Sequence, residues 1–171
     1  MNRLSPEVRL RVYGDGDLGL LLGLLGDDEA MCYLGGALSD GDICARHDRY
    51  LHPAAGDHLF VIEADGEPAG WIGLWDGEDD DTCEAGWHVL RPLQGRRIAS
   101  AALAVLLDMA VRLGRCRYVD AHPSVDNAAS NALCRSAGFE ALGEVVVEFP
   151  KGRPMRATHW RYDMDAHPGR W

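Results

Sequence analysis

The sequence predicts a single mixed α/β domain built on a largely antiparallel sheet, with about four helices beside it. Three observations support this fold class. Short segments that alternate polar and apolar residues, typical of half-buried strands, occur in several parts of the chain. Segments with apolar residues at helical spacing separate them, and no Pro-, Gly- or Ser-rich linker divides the 171 residues. That length suits one core, so we expect one domain over residues 1–171.

The chain begins with a predicted strand and two predicted helices. Residues 7–12 alternate between polar and apolar, as a half-buried strand does. Asp15-Gly16-Asp17 then breaks the strand and offers an N-cap for a helix over residues 18–25. Ser39 to Asp42 resembles a capping box, which predicts a short helix that runs through Tyr50.

The middle of the chain is predicted to be rich in strands. Residues 59–62 form a strand that runs into Asp65-Gly66, a strong hairpin signal, and the chain returns through residues 70–75. The acidic stretch over residues 76–81 predicts a solvated turn. A third strand is expected from Thr82 to about Leu90.

A change of period then predicts a long helix. Ile98, Ala102, Val105, Met109 and Leu113 form one apolar stripe at helical spacing, which predicts the face that packs on the core.

The last third is predicted to hold a strand, a capped helix and two terminal strands. Residues 117–121 read as a short strand, and Asp126-Asn127 caps a helix that Gly138 closes. The two terminal strands are expected over residues 139–149 and 155–164, joined by residues 150–154.

Composition narrows the range of partners. The formal net charge of −10 argues against a general nucleic-acid binder, which needs a basic face. The longest apolar run, residues 18–25, is too short to cross a bilayer, and Met1 to Pro6 lacks the apolar stretch of a signal peptide. We therefore expect a cytoplasmic protein without nucleic-acid or membrane partners.

The five cysteines are scattered and odd in number: Cys32, Cys44, Cys83, Cys116 and Cys134. No pair has C-x-x-C spacing, so the sequence supports neither a zinc site nor a disulfide framework. We expect reduced thiols and no metal.

The most informative segment covers residues 89–100 (VLRPLQGRRIAS), where a strand ends, a loop turns and the long helix begins. The first N–H groups of that helix lack intrahelical partners and carry the positive end of its dipole, so they can hold a pyrophosphate. Arg96 and Arg97 add two positive charges. The same residues also fit an ordinary helix N-terminus with two solvated arginines.

This loop resembles the acetyl-CoA pyrophosphate loop of the GCN5-related N-acetyltransferase (GNAT) superfamily, written Q/R-x-x-G-x-G/A. Gln94 matches its first position and Ala99 its last, whereas Arg97 stands where the family has glycine. Residues 127–139 (NAASNALCRSAGF) resemble a second signature, N-x-x-S-x-x-L-Y-x-x-x-G-F, with Cys134 at the tyrosine. The predicted element order is also that of the GNAT fold. The chain looks most like the branch that contains ribosomal-protein N-terminal acetyltransferases.

The resemblance implies an N-acetyltransferase that uses acetyl-CoA as co-substrate and transfers the acetyl group by direct attack of a primary amine. The amine belongs to a peptide N-terminus or to a small molecule. A non-catalytic acyl-CoA sensor or assembly module on the same fold is the alternative, motivated by Arg97 and Cys134. Against that alternative, arginine follows the loop without strain if its φ is negative. A homodimer is compatible with the resemblance.

The resemblance also places the cofactor-binding residues at a strand end, in the loop and on the following helix. They are Val89, Leu90, Gln94, Gly95, Arg96, Arg97, Ile98, Ala99, Ser100, Asn127 and Asn131. For Asn127, a role as helix N-cap explains the residue equally well.

Direct transfer needs an acceptor for the amine proton and, in some enzymes, a donor for the departing thiolate. GNAT enzymes often carry a basic carboxylate on the third predicted strand, which makes Glu84 the first candidate. His88 and His122 are alternatives, because an unperturbed imidazole titrates near neutrality. Cys134 is the candidate acid. Each of the four also has a purely structural interpretation.

The resemblance also implies two walls for the acceptor amine. One is predicted around Gly35, Gly36 and residues 50–58, and the other from the turn 151–153 with His159 and Trp160. The tryptophans Trp71, Trp75 and Trp87 are interpreted as sheet packing rather than as an aromatic cage.

Overall fold

The computed structural model describes residues 6–149 and 151–166. Residues 1–5, on which the expectation about a signal peptide depends, lie outside the described part, as does Pro150 of the predicted final turn. The helices and strands are β1 (Val8–Val12), α1 (Leu18–Leu25), α2 (Asp40–Leu51), β2 (His58–Ala64), β3 (Glu67–Asp76), β4 (Thr82–Val89), α3 (Ile98–Leu113), β5 (Tyr118–Ala121), α4 (Ala128–Ala137), β6 (Glu140–Glu148) and β7 (Pro154–Asp163). Short 3-10 helices lie at Asp15–Asp17, Cys32–Leu34 and Arg91–Leu93.

The described strands form one seven-stranded sheet in the order β1-β2-β3-β4-β5-β7-β6. Every neighbouring pair is antiparallel except β4 and β5. The predicted fold class, a mostly antiparallel sheet with four helices, is therefore confirmed for the described residues.

The parallel pairing between β4 and β5 is short, and the sheet opens where it ends. Thr82–Glu84 of β4 lie in register with Tyr118–Asp120 of β5. Within the described chain, β4 then continues to Val89 without pairing to β5, so the two strands separate beyond Glu84. The sheet opens at this point, beside the ends from which α3 and α4 start.

Two apolar clusters lie on opposite faces of the sheet. One joins α3 and α4 to strand residues such as Ile72 and Val119, and the other joins α1 and α2 to Trp71. Successive residues of a strand point to opposite faces, so Trp71 and Ile72 alone require two layers of helices with the sheet between them.

Helix α3 turns a different face to the core than the stripe predicts. Val105 and Leu113 are exposed, whereas Leu103, Leu106 and Leu107 are buried. The prediction of the stripe is therefore wrong in part. The helix carries apolar residues on nearly every side, so helical period alone does not select the buried face.

The expectation of reduced thiols throughout is wrong for one pair of cysteines. Cys83 on β4 and Cys116 just before β5 form a disulfide, with their Cα atoms 5.9 Å apart. The two residues are 33 positions apart in sequence, and only the pairing of β4 with β5 brings them together. Cys32, Cys44 and Cys134 are free. Disulfides are more typical of oxidising compartments, so a cytoplasmic location stays a prediction.

Candidate active site

The loop between β4 and α3 has a conformation held by its own residues. The Gln94 side chain donates a hydrogen bond of 3.0 Å to the carbonyl oxygen of Val89, which ties the loop to the end of β4. Gly95 has a φ of +73°, and the space where a Cβ would stand is open. The loop is exposed at Gln94, Gly95 and Arg96, so a ligand can approach its backbone.

Arg97 takes the left-handed conformation, with a φ of +63°. The expectation that a negative φ lets arginine replace the family's glycine is therefore wrong. Left-handed backbone costs an L-residue roughly 1–2 kcal/mol. Arg97 is the N-cap residue of α3, a position at which the backbone is more often extended, so the left-handed turn is particular to this loop.

The start of α3 offers unpaired donors beside two positive charges. Arg97 makes no side-chain capping bond, and the first-turn N–H groups from Ile98 to Ser100 have no partner within a helix. Ile98 is buried and anchors the turn, while the side chains of Arg96 and Arg97 are exposed. This arrangement of N–H groups, helix dipole and guanidinium groups can hold a diphosphate.

The backbone at the end of β4 is already partly engaged. The carbonyl of Val89 accepts from Gln94, and the N–H of Leu90 donates to Ala69 with an N–O distance of 2.8 Å. These two groups therefore shape the loop. The predicted contacts of Val89 and Leu90 with a ligand remain a prediction.

Helix α4 begins at the same edge of the sheet, because it follows the parallel partner of β4. Asn127 accepts a hydrogen bond of 3.0 Å from the N–H of Ser130, so its role as helix N-cap is confirmed. Asn131 donates to the carbonyls of Ser124 and Asn127 at 2.9 and 2.8 Å. It also accepts from Trp160 Nε1 at 2.8 Å. Asn131 thus ties α4 to the preceding loop and to β7.

Trp160 does not lie on the predicted acceptor wall. Its side chain is buried in the apolar cluster of α3 and α4, whereas His159 points to the opposite face. The placement of Trp160 in that wall is therefore wrong, because alternation along β7 separates the two neighbours.

Glu84 and His122 form a pair at the point where the sheet opens. Glu84 Oε1 lies 3.2 Å from His122 Nδ1, and both side chains are partly buried. Burial alone lowers the pKa of His122. The hydrogen bond with Glu84 and the charges of Glu84, Asp120 and Glu78 outweigh burial and raise that pKa above its usual value.

A second carboxylate and histidine lie beside the first pair. Asp120 Oδ2 lies 2.9 Å from His159 Nε2, and Arg161 binds both oxygens of Asp120 at 2.8 and 2.7 Å. The rings of His122 and His159 have centroids 4.7 Å apart. Burial tends to raise the pKa of Asp120, but its bonds with Arg161 and His159 lower it overall.

The sequence reasoning missed Asp120 and Arg161. A carboxylate between apolar neighbours in residues 118–121 was the available signal, because buried charge is rare without a partner.

His88 lies apart from this cluster. Its Nδ1 is buried and has no hydrogen-bond partner in the described chain. Burial lowers the pKa of His88, and the carbonyl of Ala30 and the charge of Asp27 offset this only in part. The ring is therefore neutral at physiological pH. A catalytic role for His88 stays a prediction, because the described contact of Glu84 is with His122.

Cys134 is fully buried in α4. Burial raises the pKa of its thiol to about 12. Such a thiol is a poor proton donor at neutral pH and forms almost no thiolate, which supports its packing interpretation.

The three tryptophans pack on the sheet. Trp71 and Trp75 lie against the cluster of α1 and α2, whereas Trp87 lies against the other face. A Cβ on Gly86 would stand 2.7 Å from the Trp75 ring, so glycine is required beneath that indole. The three rings form no common cage.

The two predicted acceptor walls meet in part. Arg153 of the β6–β7 turn donates a hydrogen bond of 2.9 Å to the carbonyl of Gly35. A cavity of about 290 Å³ lies here, lined by the segments 32–35, 124–126, 149 and 153–156. Residues 50–58, predicted for the first wall, are absent from the described lining of this cavity.

None of the helices in ranges 6–149 and 151–166 is long and apolar enough to span a membrane. Among those same residues, no group of three or more His, Cys, Asp or Glu side chains is arranged to hold a metal ion.

Comparison with known proteins identifies the family. Residues 7–140 match the family described as the acetyltransferase (GNAT) domain. No curated protein matches the chain significantly in sequence.

Solved structures with the same fold include three acetyltransferases. RimL, the ribosomal L7/L12 α-N-protein acetyltransferase, is 22% identical with a TM-score of 0.76, and the match covers 91% of this chain and 90% of RimL. The spermidine N-acetyltransferase of Vibrio cholerae, solved with CoA and spermine, is 21% identical with a TM-score of 0.77 and coverage of 92% and 96%. The aminoglycoside acetyltransferase AAC(6')-Ib, in complex with coenzyme A, is 18% identical with a TM-score of 0.77 and coverage of 94% and 96%.

The resemblance read from the two signatures is thereby confirmed. The family match spans most of the chain and includes the exposed loop before α3 and the start of α4. The chain belongs to the GNAT acetyltransferase family.

Proposed function

We propose that the protein transfers an acetyl group from acetyl-CoA to a primary amine. One observation carries the proposal: the Glu84–His122 pair lies where β4 and β5 begin to separate, and the exposed loop before α3 follows the free end of β4. In this proposal, the anion site and the proton acceptor lie along one strand.

The loop residues fit the diphosphate of CoA. The first-turn N–H groups of α3, the open space over Gly95 and the exposed Arg96 and Arg97 together favour a doubly charged group. Acetyl-CoA supplies the activated acetyl group as a thioester. The spermidine and aminoglycoside acetyltransferases of the same fold were each solved with CoA, which supports this assignment.

In this proposal His122 accepts the amine proton and Glu84 assists it. A primary amine attacks only as the neutral base, so its proton must leave before or during attack. His122 takes that proton, and Glu84, hydrogen-bonded to its Nδ1, stabilises the imidazolium. The opening between β4 and β5 gives the amine access to this pair.

Asn127 and Asn131 have positioning roles in this proposal. Their side chains hold the start of α4 and the loop before it, which carries His122 and Ser124. In this proposal, loss of the Asn131 amide displaces the loop on which the proton acceptor stands, and loss of the Asn127 amide uncaps α4.

Neither motive for the non-catalytic alternative requires the loss of acetyl transfer. Arg97 takes a left-handed conformation at some cost in strain, and the turn before α3 still forms with open space over Gly95. Cys134 is buried and a poor acid, but the CoA thiolate is only weakly basic and can depart without one.

The experiment is a CoA-release assay with acetyl-CoA and a panel of free N-terminal peptides and small amines. We expect release that depends on the amine, and a raised KM for acetyl-CoA in Arg96→Ala. Arg112→Ala, which removes an exposed arginine on the same helix, is the matched control. Binding of CoA without release from any amine supports the sensor alternative.

A further inference from the structure

The lining of the cavity beneath the β6–β7 turn includes parts of the two chain segments that carry His122 and His159, and an isolated β-bridge joins these segments. Its lining residue Ser124 lies two positions after His122 and forms an isolated β-bridge with Ala157. Met155, also in the lining, lies four positions before His159 on β7, so alternation along the strand places both side chains on the same face. Phe149 of the lining packs with the cluster of α1 and α2, and that helix layer covers the face of the sheet that holds Trp71.

The charges around this cavity are mostly positive. Its described lining contains Arg153 and Arg156 but a single carboxylate, Asp126. Arg156 is already paired with Glu144 at 2.5 Å. Arg153 donates to the Gly35 carbonyl, and within the described residues it forms no ion pair with a carboxylate. One cation at the cavity rim is therefore not neutralised.

A second cation stands behind the same wall. Arg46 of α2 is only 8% exposed, and its guanidinium lies 5.0 Å from the centroid of the Phe149 ring. The Arg46 Nε is buried without a hydrogen-bond partner among the described residues. Because Phe149 lines the cavity, the charge of Arg46 adds to the positive potential on that side.

We propose that this cavity receives the acceptor and that the acceptor carries an anionic group beside its amine, as a peptide with an acidic N-terminal segment does. The inference rests on the proposed acetyl transfer. Arg153 pairs with the anionic group while the amine lies towards the Glu84–His122 pair. A polyamine such as spermine carries only positive charge, so its binding requires several carboxylates. The described lining of this cavity contains one carboxylate, that of Asp126.

The first test compares peptides that differ only in charge. Three peptides begin with a free alanine and carry Glu, Gln or Lys at their second and third positions, and spermidine is the fourth acceptor. We expect kcat/KM to be highest for the Glu peptide, about tenfold above the Lys peptide, and lowest for spermidine. The ratio should fall as salt is raised, because screening weakens exposed charge pairs.

The second test assigns the preference to one side chain. Arg153→Gln should reduce the Glu-to-Lys ratio at least fivefold, chiefly through KM, whereas Arg153→Lys should keep most of it. Arg112→Gln, far from the cavity on α3, is the control and should leave the ratio unchanged. The ratio is the readout because loss of the bond to Gly35 affects both peptides alike.

The outcomes separate this inference from the proposed function. Equal rates for the three peptides, a preference for spermidine, or an unchanged ratio in Arg153→Gln would overturn the acidic acceptor. Absence of CoA release from every amine would overturn acetyl transfer itself.

Discussion

At the scale of single residues, partners decide what each carboxylate does. Glu84 and Asp120 lie opposite each other in the register of β4 and β5. Arg161 neutralises Asp120 through two bonds, whereas Glu84 contacts the His122 imidazole. The negative charge of Glu84 is therefore available to stabilise a proton on His122, and that of Asp120 serves to fix the second ring, His159.

Glu84→Gln tests the proton acceptor. The substitution keeps the size of the side chain but removes its charge, so turnover should fall by about 10²–10⁴ while CoA affinity is retained. Without the carboxylate the pKa of His122 falls, because burial is then opposed by fewer charges. The acidic limb of the pH–rate profile should therefore move to lower pH. His88→Gln is the control, and normal turnover in Glu84→Gln would remove Glu84 from the mechanism.

Asp120→Asn tests the structural ion pair. It leaves the Arg161 guanidinium without its partner, so the free energy of unfolding at pH 7 should fall by about 2 kcal/mol, as urea unfolding measures. The pKa of Asp120 is lowered in the fold, so its contribution is fully present above the unfolded value of about 3.9. It is lost as pH falls through the lower folded value.

Two matched measurements decide this prediction. The difference between wild type and Asp120→Asn should shrink below about pH 4. Asp108→Asn, which breaks an i,i+4 pair with Arg112, should cost less than about 0.5 kcal/mol. A similar small cost for Asp120→Asn would contradict the assigned role.

At the scale of elements, β4 organises the site from both of its ends. Its first residues pair with β5 and carry Cys83 and Glu84, and its last residues lead into the loop before α3. The strands separate between these ends. In the described chain only three residues of β4 pair with β5, and the Cys83–Cys116 disulfide links β4 to the segment before β5 near this point. A longer run of paired residues would close the opening between the strands.

Arg97→Gly tests the strain in the loop. Glycine removes about 1–2 kcal/mol of left-handed strain from the folded state. It also gives the unfolded chain more conformational entropy, which lowers stability by about 0.4–1 kcal/mol. The net free energy of unfolding should rise by about 0.5–1 kcal/mol, measured by urea titration, because φ at this position is +63°. Arg97→Ala is the comparison and should bring no gain. Both variants should bind CoA more weakly, since each removes a charge; an unchanged affinity would mean that this arginine does not face the diphosphate.

Cys116→Ser tests the disulfide between β4 and the segment before β5. The bond joins residues 33 apart in sequence, so its loss should lower the free energy of unfolding by about 3–4 kcal/mol. Wild type with a thiol reductant should show a similar fall in Tm. Cys44→Ser, at an exposed free thiol, is the control. A Tm insensitive to both reductant and Cys116→Ser would argue that the bond does not form in solution.

At the scale of the whole molecule, the sheet lies between two helix layers, and the proposed ligands meet where it opens. The loop before α3 lies at the edge where β4 and β5 end, and the cavity adjoins the face that carries His122 and His159. A formal net charge of −10 makes the two positive regions, around Arg96 and Arg153, local exceptions. The proposed sites for the CoA diphosphate and for the anionic group of the acceptor each contain exposed arginine in an otherwise acidic chain.

Binding of CoA should stabilise the entire fold. A ligand that binds only the native loop at about a hundred times its Kd adds about 2.7 kcal/mol, which raises Tm. Pantetheine, which lacks the phosphates, should shift Tm much less because the arginines have no charge to bind. Absence of any shift at millimolar CoA would contradict the assignment of the loop.

Local signals gave correct predictions at most of the turns and helix ends, where the interacting groups lie within a few residues of one another. Asp65-Gly66 forms the hairpin turn with both residues at positive φ, and Ser39 caps α2 through the N–H of Asp42. Asn127 and Gly138 bound α4 as expected. Asp17 is the exception among the predicted caps, because its carboxylate binds Arg11 and the N–H of Gly14 rather than the first turn of α1.

The sequence by itself determined the element order, the turns, the two family signatures and the candidacy of Glu84 and His122, because each depends on neighbours along the chain. Tertiary structure alone decided which face of α3 is buried, where Trp160 points and that Cys83 meets Cys116. It also brought Asp120 and Arg161 beside the two histidines. These features depend on strand register and on which strands are neighbours, and register is set by packing between segments that are far apart in sequence.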